Sequence, residues 1–427
     1  MLIMFRVKNF TSFREDVVLD MRATGFKQHP SHVVAHGDFR LLKTAAIYGA
    51  NASGKSNLIS ALFRFRQYIL KQLFQDKWEE ASIEESDALR GTITMEPFLL
   101  TGQVERCIEM EMIFSNNDVL YQYGFSFEDT NVLSEWLLID DELVFDRKKR
   151  VFEYGKKYKT LLKDYRKFRD DRLYLSVLDY FATGSMKDSI DNFKSFFQTK
   201  LNIHFELFLE SSVKGTMGML GLSKRLVEDA MFRMKVAEYI RRIDVGIVDL
   251  TVVEESKHSK TGEISEISVV KPVHEKYDTN GNKNGTEVFE WRQESTGTLR
   301  FLSFIQSILI LLEKGGVFII DKLSSRLHPL LTKFIVDIFQ SNVNVNNAQL
   351  IFTTHDTSIL NKEQFRRDEI LFVEKNKRGE SSLYSLADLK PESKTVRQDA
   401  TYNKDYFNGK YGAIPIILDV NDMSGGE

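Results

Sequence analysis

Residues 49–56 read GANASGKS. It matches the pattern G-x-x-x-x-G-K-S and follows the apolar run LLKTAAIY (41–48). After it, apolar residues at 58, 59, 62, 65 and 69 have the spacing of one face of a helix. Gly49 and Gly54 allow the backbone to curl so that successive N–H groups point at phosphate oxygens. A glycine-rich turn that matches by chance is the alternative, but strand, loop and helix stand in the required order. The sequence therefore predicts a phosphate-binding P-loop.

Two side chains of this loop have specific expected roles. Lys55 is expected to reach the β- and γ-phosphates of a nucleotide as a point charge. The Ser56 hydroxyl is expected to ligate magnesium. The N-terminus of the following helix adds a dipole that favours an anion. The predicted nucleotide-binding residues of the loop are Gly49, Asn51, Ala52, Ser53, Gly54, Lys55, Ser56 and Asn57.

Length, charge and cysteine content limit the class of protein. The chain has 427 residues, enough for two or three domains, and a net charge of −3, so contact with nucleic acid would need a local basic patch. Cys107 is the only cysteine, which excludes an intrachain disulfide and a cysteine-based zinc cluster. No signal peptide is recognisable at the start, and no apolar run reaches the ~18 residues that span a bilayer. We therefore expect a cytoplasmic protein without a membrane anchor.

Patterns along the chain predict an α/β P-loop NTPase fold with an antiparallel β subdomain and a helical insertion. Short alternating runs over 97–152 indicate an antiparallel sheet, and residues 160–240 have a helical pattern. Strands alternate with helices in the last third of the chain, which indicates a parallel sheet. The predicted domains are an N-terminal lobe (1–154), a helical insertion (155–243) and a C-terminal lobe (244–427).

A second apolar run, VFII at 317–320, leads to Asp321, and Lys322 follows. A carboxylate at the end of a buried strand often holds the magnesium of a nucleotide, so Asp321 and Ser56 are the candidate metal ligands. In such sites the next residue is commonly a glutamate that polarises the attacking water. Lys322 takes that place here, and an ammonium group cannot accept a proton from water.

Two more stretches complete the candidate site. In ESTGTLRFLS (294–303), Ser295 or Thr296 is placed to cap a helix, and Gly297 permits close approach. In TTHD (353–356), His355 follows a predicted strand. Taken alone, a helix cap and a structural histidine are the simpler interpretations. The order of P-loop, capped helix, acidic strand end and histidine strand end is what favours a nucleotide site, with Asp321, Lys322 and His355 as candidate catalytic positions.

This order of motifs, GANASGKSN, ESTGT, FIID, LHPLL and FTTHD, resembles the ATP-binding cassette (ABC) heads of the SMC and RecF type. It resembles more closely the bacterial AAA family ATPases of abortive-infection and phage-defence loci, which are relatives of the OLD-family ATPases. Further similar stretches are VKNFTSFRE, YQYGFSF, SEWL, RRDEILFVEK and KYGAIP (410–415). The resemblance therefore runs nearly end to end and is weakest across 155–240.

In that family ATP and magnesium are bound between two heads arranged head to tail. The resemblance implies that the P-loop, Asp321 and His355 of one chain face Ser295, Gly297 and Thr298 of another. Nucleotide would then join two copies of the chain. ATP and ADP would offer different contacts to that interface, which is what a switch requires.

The family pattern after the strand is aspartate-glutamate-leucine-aspartate-serine-serine, whereas this chain has DKLSSR (321–326). Lys322 replaces the glutamate, Ser324 replaces the second aspartate, and Arg326 stands where a small or apolar residue is expected. We expect slow ATP hydrolysis, because phosphoryl transfer depends on positioning and charge. Alternatively, Lys322 points away and Glu294 or Asp356 acts as the base.

The resemblance also implies a biological role. ATPases of this kind serve as sensor or scaffold subunits in defence against phage and are often encoded beside an effector, commonly a Toprim-type nuclease. Two alternatives are a DNA repair ATPase similar to RecF that binds DNA directly, and a degenerate subunit that pairs with an active homologue. The chain is expected to form a homodimer or larger oligomer through ATP, whereas the degenerate subunit would form a mixed dimer with its active homologue.

Two further stretches allow weaker predictions. Residues 147–172 hold twelve Lys or Arg and four Asp or Glu, interleaved with aromatic residues, a composition that suits nucleic acid. A solvated basic face is the favoured interpretation of this stretch. By resemblance, Phe13 and Arg14 lie where the family's N-terminal hairpin approaches the nucleotide base.

Overall fold

The elements of the computed structural model are given in chain order over the described residues, which are 1–74, 95–162, 169–205, 224–244, 246–258, 264–389 and 401–415. The strands are β1 Leu2–Lys8, β2 Val17–Asp20, β3 Val33–His36, β4 Phe39–Leu42, β5 Thr44–Tyr48, β6 Ile108–Asn116, β7 Val119–Glu128, β8 Asn131–Ile139, β9 Glu142–Lys148, β10 Val151–Tyr154, β11 Leu201–His204, β12 Ile247–His258, β13 Ile264–Tyr277, β14 Lys283–Val288, β15 Val317–Ile320, β16 Gln349–Thr353, β17 Ile370–Lys375 and β18 Ser381–Ser385. The α-helices are α1 Lys55–Phe74, α2 Lys159–Leu162, α3 Tyr174–Phe181, α4 Gly184–Ser195, α5 Lys224–Glu228, α6 Ala230–Arg241, α7 Thr296–Lys314, α8 Pro329–Gln340 and α9 Tyr402–Phe407. Short 3₁₀ turns cover Pro30–His32, Trp291–Gln293 and Arg367–Glu369, and Phe196–Lys200 is a π-helical turn.

The chain divides into two units. The first unit consists of Met1–Phe205, Gly315–Leu323 and Val336–Glu427, and the second unit consists of Glu206–Lys314 and Ser324–Ile335. The P-loop, Asp321, Lys322 and His355 belong to the first unit, whereas the N-terminus of α7 belongs to the second. The predicted domain limits at 154 and 243 stay predictions.

A six-stranded sheet in the first unit places the predicted site residues. Its strand order is β11-β15-β16-β5-β17-β18, and all neighbours are parallel except β17 and β18. The chain leaves β15 at Asp321, β16 at Thr353 and β5 at Gly49, and these three strands are neighbours in the sheet. Because parallel strands end at the same edge, three loops converge there, which is where open α/β sheets bind ligands. The predicted α/β P-loop fold is confirmed.

Helix α1 lies in a core shared by the six-stranded sheet and a seven-stranded antiparallel sheet of order β10-β9-β8-β7-β6-β1-β2. The helical stripe predicted from the sequence is the buried face, since Leu58, Leu62 and Phe65 are all fully buried. The ring of Phe65 stacks on Phe125 of β7 at 5.2 Å and meets Phe5 of β1 edge-on at 5.6 Å. Burial of such rings stabilises the placement of α1, and hence of the P-loop before it.

The helical pattern predicted for residues 160–240 is wrong at Leu201–His204. These four residues form β11, the edge strand of the six-stranded sheet, parallel to β15 in the register Leu201↔Val317 and His204↔Ile320. A four-residue strand is too short to show a period of two clearly against helical flanks. Helices α2 to α6 and the π-helical turn occupy most of the remaining described residues of that range.

The second unit contains α5, α6, α7 and the three-stranded antiparallel sheet β12-β13-β14. The turn predicted from DTNGNKNG joins β13 and β14, with Gly281 in the left-handed region at φ 83°. Among the described residues, α7 is the one helix that is long enough and apolar enough to cross a membrane. However, 56% of its 18-residue apolar window is buried within the protein. Such burial is typical of a core helix, as the sequence predicted for this run.

Candidate nucleotide-binding site

The P-loop has the backbone shape that its two glycines predict. Gly49 has φ 153° and Gly54 has φ 115°, so both lie in the region that side chains rarely adopt. A Cβ at Gly49 would overlap the carbonyl oxygen of Val373, and a Cβ at Gly54 would lie 2.6 Å from the Ser381 hydroxyl oxygen. Ala52, at the exposed tip, also has a positive φ of 60°. The neighbouring strands therefore exclude side chains from the underside of the loop.

Lys55 lies at the first position of α1 with its ammonium group inside the loop. Its Nζ donates to the carbonyl oxygens of Gly49 and Ala50, both at 2.8 Å. The pKa of Lys55 is lowered to about 8, mainly by burial, with Asp321 opposing the shift and Lys322 adding to it. A partly desolvated cation held by carbonyl groups is suited to an anionic ligand that offers stronger acceptors.

Ser56 and Asp321 form the candidate magnesium site. The Ser56 hydroxyl donates to Asp321 Oδ1 at 3.1 Å, and Asp321 is 3% exposed. A hydroxyl and a carboxylate oxygen this close together are the hard donors that magnesium prefers, so the residues fit this ion. The pair joins residues 265 positions apart in sequence because β5 and β15 flank β16.

Thr353, the last residue of β16, was missed by the sequence analysis. Its hydroxyl donates to Asp321 Oδ1 at 2.7 Å and accepts from the backbone N–H of Lys322 at 2.7 Å. Thr353 is fully buried and therefore fixes both the carboxylate and the start of the following turn. A sequence signal existed, since Thr353 ends the strand that precedes the predicted histidine.

Lys322 and His355 lie near Lys55. Lys322 has a positive φ of 53°, and its ammonium group is close enough to lower the pKa of both Lys55 and His355. Partial burial is the main cause of the lowered pKa of His355, and Lys55 adds to it. The lowered pKa keeps His355 neutral at pH 7, when its ring carries one N–H donor and one acceptor.

The alternative carboxylates are engaged elsewhere or buried. Glu294, 5% exposed at its side chain, lies 2.7 Å from His274 Nε2 in the second unit. Asp356 accepts from the backbone N–H of Ser358 at 2.9 Å through Oδ1. Its other oxygen, Oδ2, is buried and has no hydrogen-bond partner among the described residues.

Of the two residues that the sequence allowed as the cap of α7, Ser295 is the one that caps it. Its hydroxyl accepts from the backbone N–H of Thr298 at 3.0 Å and lies 2.8 Å from the Thr298 hydroxyl oxygen. Thr298 in turn donates to Asp244 Oδ2 at 2.8 Å, an acidic contact that the sequence analysis missed. Gly297 lies beside this cap, where a Cβ would be 3.3 Å from the carbonyl oxygen of Arg326. Ser295 itself is exposed, so the N-terminus of α7 is accessible on the second unit.

Two weaker predictions concern residues that the structure places in the core or in ion pairs. Phe13 is fully buried in the core, and Arg14 forms an ion pair with Glu380 at 2.8 Å. Their position near a nucleotide base stays a prediction. In the basic stretch 147–172, Arg147 is 1% exposed and pairs with the buried Glu135 at 3.3 Å. Arg147 is therefore unavailable to nucleic acid. Residues 163–168 of that stretch lie outside the described residues.

A strand, a G-x-x-x-x-G-K-S loop with a central lysine, and a carboxylate at a nearby parallel strand end together define a P-loop nucleotide-binding ATPase. The family model described as "AAA domain, putative AbiEii toxin, Type IV TA system" matches residues 45–361. The chain belongs to this family, and it is an ATP-binding AAA ATPase of the abortive-infection type with ABC-like motifs.

The solved structures that are similar to the chain include two SMC heads. One is an SMC head bound to the C-terminal winged-helix domain of ScpA, with 15% identity, a TM-score of 0.43, and coverage of 92% of this chain and 98% of that one. The other is the SMC head domain from Thermotoga maritima, with 15% identity, a TM-score of 0.40, and coverage of 90% and 98%. No curated protein matches the chain.

Proposed function

We propose that the chain binds ATP with magnesium, forms a head-to-tail dimer on it, and hydrolyses it slowly. The observation that carries this proposal is the pairing of Ser56 with Asp321 beside an intact P-loop, with a lysine at the next position. Gly49 to Asn57, Asp321 and His355 of one chain would face Ser295, Gly297 and Thr298 of its partner. The binding residues are complete, whereas the residue that orients water is replaced.

Each residue would have a distinct part in binding. Lys55 would exchange its loop carbonyl partners for phosphate oxygens, and Ser56 and Asp321 would hold magnesium, which neutralises phosphate charge. The neutral ring of His355 can donate one hydrogen bond to a phosphate oxygen without taking up a proton. The exposed N-terminus of α7, capped by Ser295, would offer its amides to the γ-phosphate of the partner's nucleotide.

Lys322 would favour binding over hydrolysis. Its charge adds to the lowering of the pKa of both Lys55 and His355, for which burial is the main cause, so it would add positive charge where the γ-phosphate would lie. An ammonium group attracts that phosphate but cannot accept the proton of the attacking water. The ATP-bound dimer would therefore be long-lived.

The biological role that fits a long-lived ATP dimer is that of a cytoplasmic sensor or scaffold in defence against phage. The family description, with its toxin and toxin–antitoxin terms, supports a place in such a system. An effector protein such as a Toprim-type nuclease would be held silent by the assembly. A degenerate subunit that pairs with an active homologue is the second candidate, favoured by the replacements at Lys322 and Ser324.

Steady-state phosphate release and solution mass test the proposal together. We expect wild type to bind ATP with magnesium in calorimetry and to double its mass with ATP. Lys322→Glu should raise turnover by at least about tenfold, because a positioned general base commonly contributes that much or more. Lys322→Gln, which removes the positive charge without supplying a carboxylate, is the matched control and should stay slow. Rapid wild-type turnover that Lys322→Glu does not improve would refute slow hydrolysis.

A further inference from the structure

Three hydroxyl and amide side chains brace the underside of the P-loop. We call Ser12, Asn57 and Ser381 the phosphate-loop brace. Ser12 lies in the turn between β1 and β2, Asn57 lies in the first turn of α1, and Ser381 begins β18. Ser12 and Ser381 are 7% and 6% exposed, so their hydroxyl groups depend on protein partners.

The brace forms one ordered chain of hydrogen bonds. Asn57 Nδ2 donates to Ser12 Oγ at 2.7 Å, the two serine Oγ atoms are 2.9 Å apart, and Ser381 Oγ donates to the carbonyl oxygen of Ser53 at 2.6 Å. Each hydroxyl has one proton, and a carbonyl oxygen can only accept. Ser381 therefore gives its proton to Ser53, and Ser12 gives its own to Ser381. In this arrangement the proton of each of the three hydrogen bonds has a defined position.

The last bond of this chain fixes a peptide plane of the P-loop. The carbonyl of Ser53 and the N–H of Gly54 belong to the same peptide group, which is planar and trans, so they point in opposite directions. Because Ser381 holds the carbonyl on the underside, the N–H of Gly54 points to the opposite side, into the concave face of the loop. That side is where a phosphate would be bound.

Two independent contacts hold the brace itself in place. The backbone N–H of Ser381 donates to the carbonyl of Ser12 at 2.7 Å, and Arg14 pairs with Glu380 at 2.8 Å between the same two turns. Gly54 packs directly on the two hydroxyl groups, since a Cβ there would lie 2.6 Å from Ser381 Oγ and 2.9 Å from Ser12 Oγ. The loop thus cannot tilt toward the brace without a clash.

We propose that Ser381 is a positioning residue for nucleotide, which orients the Gly54 N–H toward the phosphates through the Ser53 carbonyl, with Ser12 and Asn57 fixing the direction of the Ser381 hydroxyl. This inference rests on ATP binding by the P-loop. Removing the hydroxyl frees the Ser53–Gly54 peptide to rotate, and a rotated peptide would present a carbonyl oxygen, which repels phosphate. Affinity for nucleotide would fall although no ligand contact has been deleted.

The test is the Kd for ATP with magnesium, measured by calorimetry, for wild type, Ser381→Ala, Ser381→Thr and Ser382→Ala. Ser382 is the exposed next residue of the same type and is the matched control. We expect Ser381→Ala to weaken binding about tenfold or more, the effect of one hydrogen bond to a charged group. Ser381→Thr keeps the hydroxyl and should restore affinity to within about threefold, since only a methyl group is added. Ser382→Ala should bind like wild type.

The melting temperature without nucleotide separates positioning from a general loss of structure. Ser381→Ala should lose affinity while its melting temperature stays close to that of Ser382→Ala. If Ser381→Ala does not fold, Ser12→Ala provides the same test with a smaller expected loss of affinity, because Ser381 can still donate to Ser53. If Ser381→Ala binds ATP as tightly as wild type, the inference about Ser381 is overturned but the proposed function is not. The same holds if Ser381→Ala is unfolded and a folded Ser12→Ala binds ATP as tightly as wild type. Failure of wild type to bind ATP would overturn the proposed function as well.

Discussion

At the scale of single residues, Tyr48 has a buried hydroxyl group that lacks a hydrogen-bond partner among the described residues. It ends β5 directly before the P-loop and is 1% exposed. Burial, with Asp356 nearby, raises the pKa of Tyr48, so the hydroxyl stays protonated. A buried polar group without a partner is destabilising. We predict that Tyr48→Phe leaves the melting temperature unchanged or raises it.

Tyr121→Phe is the matched control for this change. Tyr121 is equally buried, but its hydroxyl donates to the Ser189 carbonyl at 2.9 Å and accepts from Asn192 at 3.0 Å. Its loss should destabilise the protein by about 1–2 kcal/mol, because two satisfied groups lose their partner. If Tyr48→Phe is destabilised as much as Tyr121→Phe, the Tyr48 hydroxyl has a partner in solution, with Asp356 the first to examine.

A second prediction at this scale concerns the charge of Lys55. Burial lowers the pKa of Lys55 to about 8 in the protein without nucleotide, whereas bound phosphate would favour the protonated amine. The neutral amine becomes the main form as pH rises through about 8, so ATP binding must then take up a proton. We predict that affinity for ATP falls about tenfold between pH 7 and pH 9, the change expected for one linked proton.

Calorimetric titrations in buffers of different protonation enthalpy will count the protons taken up. The number should approach one at pH 9 and be small at pH 7. Lys55→Arg keeps its positive charge at both values, so any residual binding by it should be insensitive to pH in this range. An affinity that does not change with pH, together with no proton uptake, would contradict the assignment to Lys55.

At the scale of elements, Glu135 of β8 joins the antiparallel sheet to the N-terminus of α3. Its carboxylate accepts from the backbone N–H groups of Tyr174 and Leu175, at 2.6 and 2.9 Å, and pairs with Arg147 of β9. Glu135 is fully buried, and so nearly is Arg147. We predict that Glu135→Ala lowers the free energy of unfolding by about 3–5 kcal/mol, because it removes the carboxylate that pairs with a buried guanidinium group and leaves two helix N–H groups without their acceptor.

Denaturant titration followed by circular dichroism measures this loss, with Glu142→Ala as the control. Glu142 lies at the start of β9, 62% exposed, and pairs with Lys157 at 3.4 Å on the surface. Its removal should cost at most about 0.5 kcal/mol, which is typical of exposed pairs. Equal losses for both substitutions would mean that the buried carboxylate does not hold α3 to the sheet.

The elements also show what the sequence could predict and why. The P-loop, α1 and the strand that ends in Asp321 were predicted because each is a local pattern of neighbouring residues. Strand β11 was not, since Leu201–His204 mixes apolar and polar residues over only four positions between helices and takes its conformation from pairing with β15. Strand β15 is equally short, but its four residues are all apolar and an acidic residue follows them.

The parts of the site that sequence did not predict depend on distant partners. Ser381 contacts Ser12 across 369 positions, and Thr353 contacts Asp321 across 32, and neither serine nor threonine stands out in a single sequence. Phe13 was placed by resemblance on the hairpin that approaches the nucleotide base, and nothing local in the sequence indicated that its ring is buried in the core. Only the convergence of strand ends and turns brings such residues to the P-loop.

At the scale of the whole molecule, the two halves of the proposed site lie on different units of the chain. The P-loop belongs to the first unit, and the N-terminus of α7 belongs to the second. A head-to-tail dimer would build each ATP site from the first unit of one copy and the second unit of the other. Two different substitutions, one in each unit, can test this arrangement without any assumption about how the units are placed.

Lys55→Ala removes the phosphate cation in the first unit, and Ser295→Asp adds a negative charge at the N-terminus of α7 in the second. Aspartate is as good a helix cap as serine, so Ser295→Asp should keep α7 intact while repelling the γ-phosphate of a partner's nucleotide. Each variant alone would form dimers with two defective sites. A mixed dimer has both lesions at one site and none at the other. We predict that mixing the variants restores ATP-dependent dimers.

Energy transfer between differently labelled variants, with and without ATP and magnesium, measures the mixed dimer directly. Donor-labelled Lys55→Ala mixed with acceptor-labelled Lys55→Ala gives the background for dimers without an intact site, and wild type labelled in the same way sets the upper limit. The subunits of the mixed dimer should bind each other less tightly than those of wild type, because one intact ATP site holds the dimer instead of two. If both variants dimerise separately as well as wild type, or if the mixture gains nothing over either alone, ATP does not join the two units of different copies.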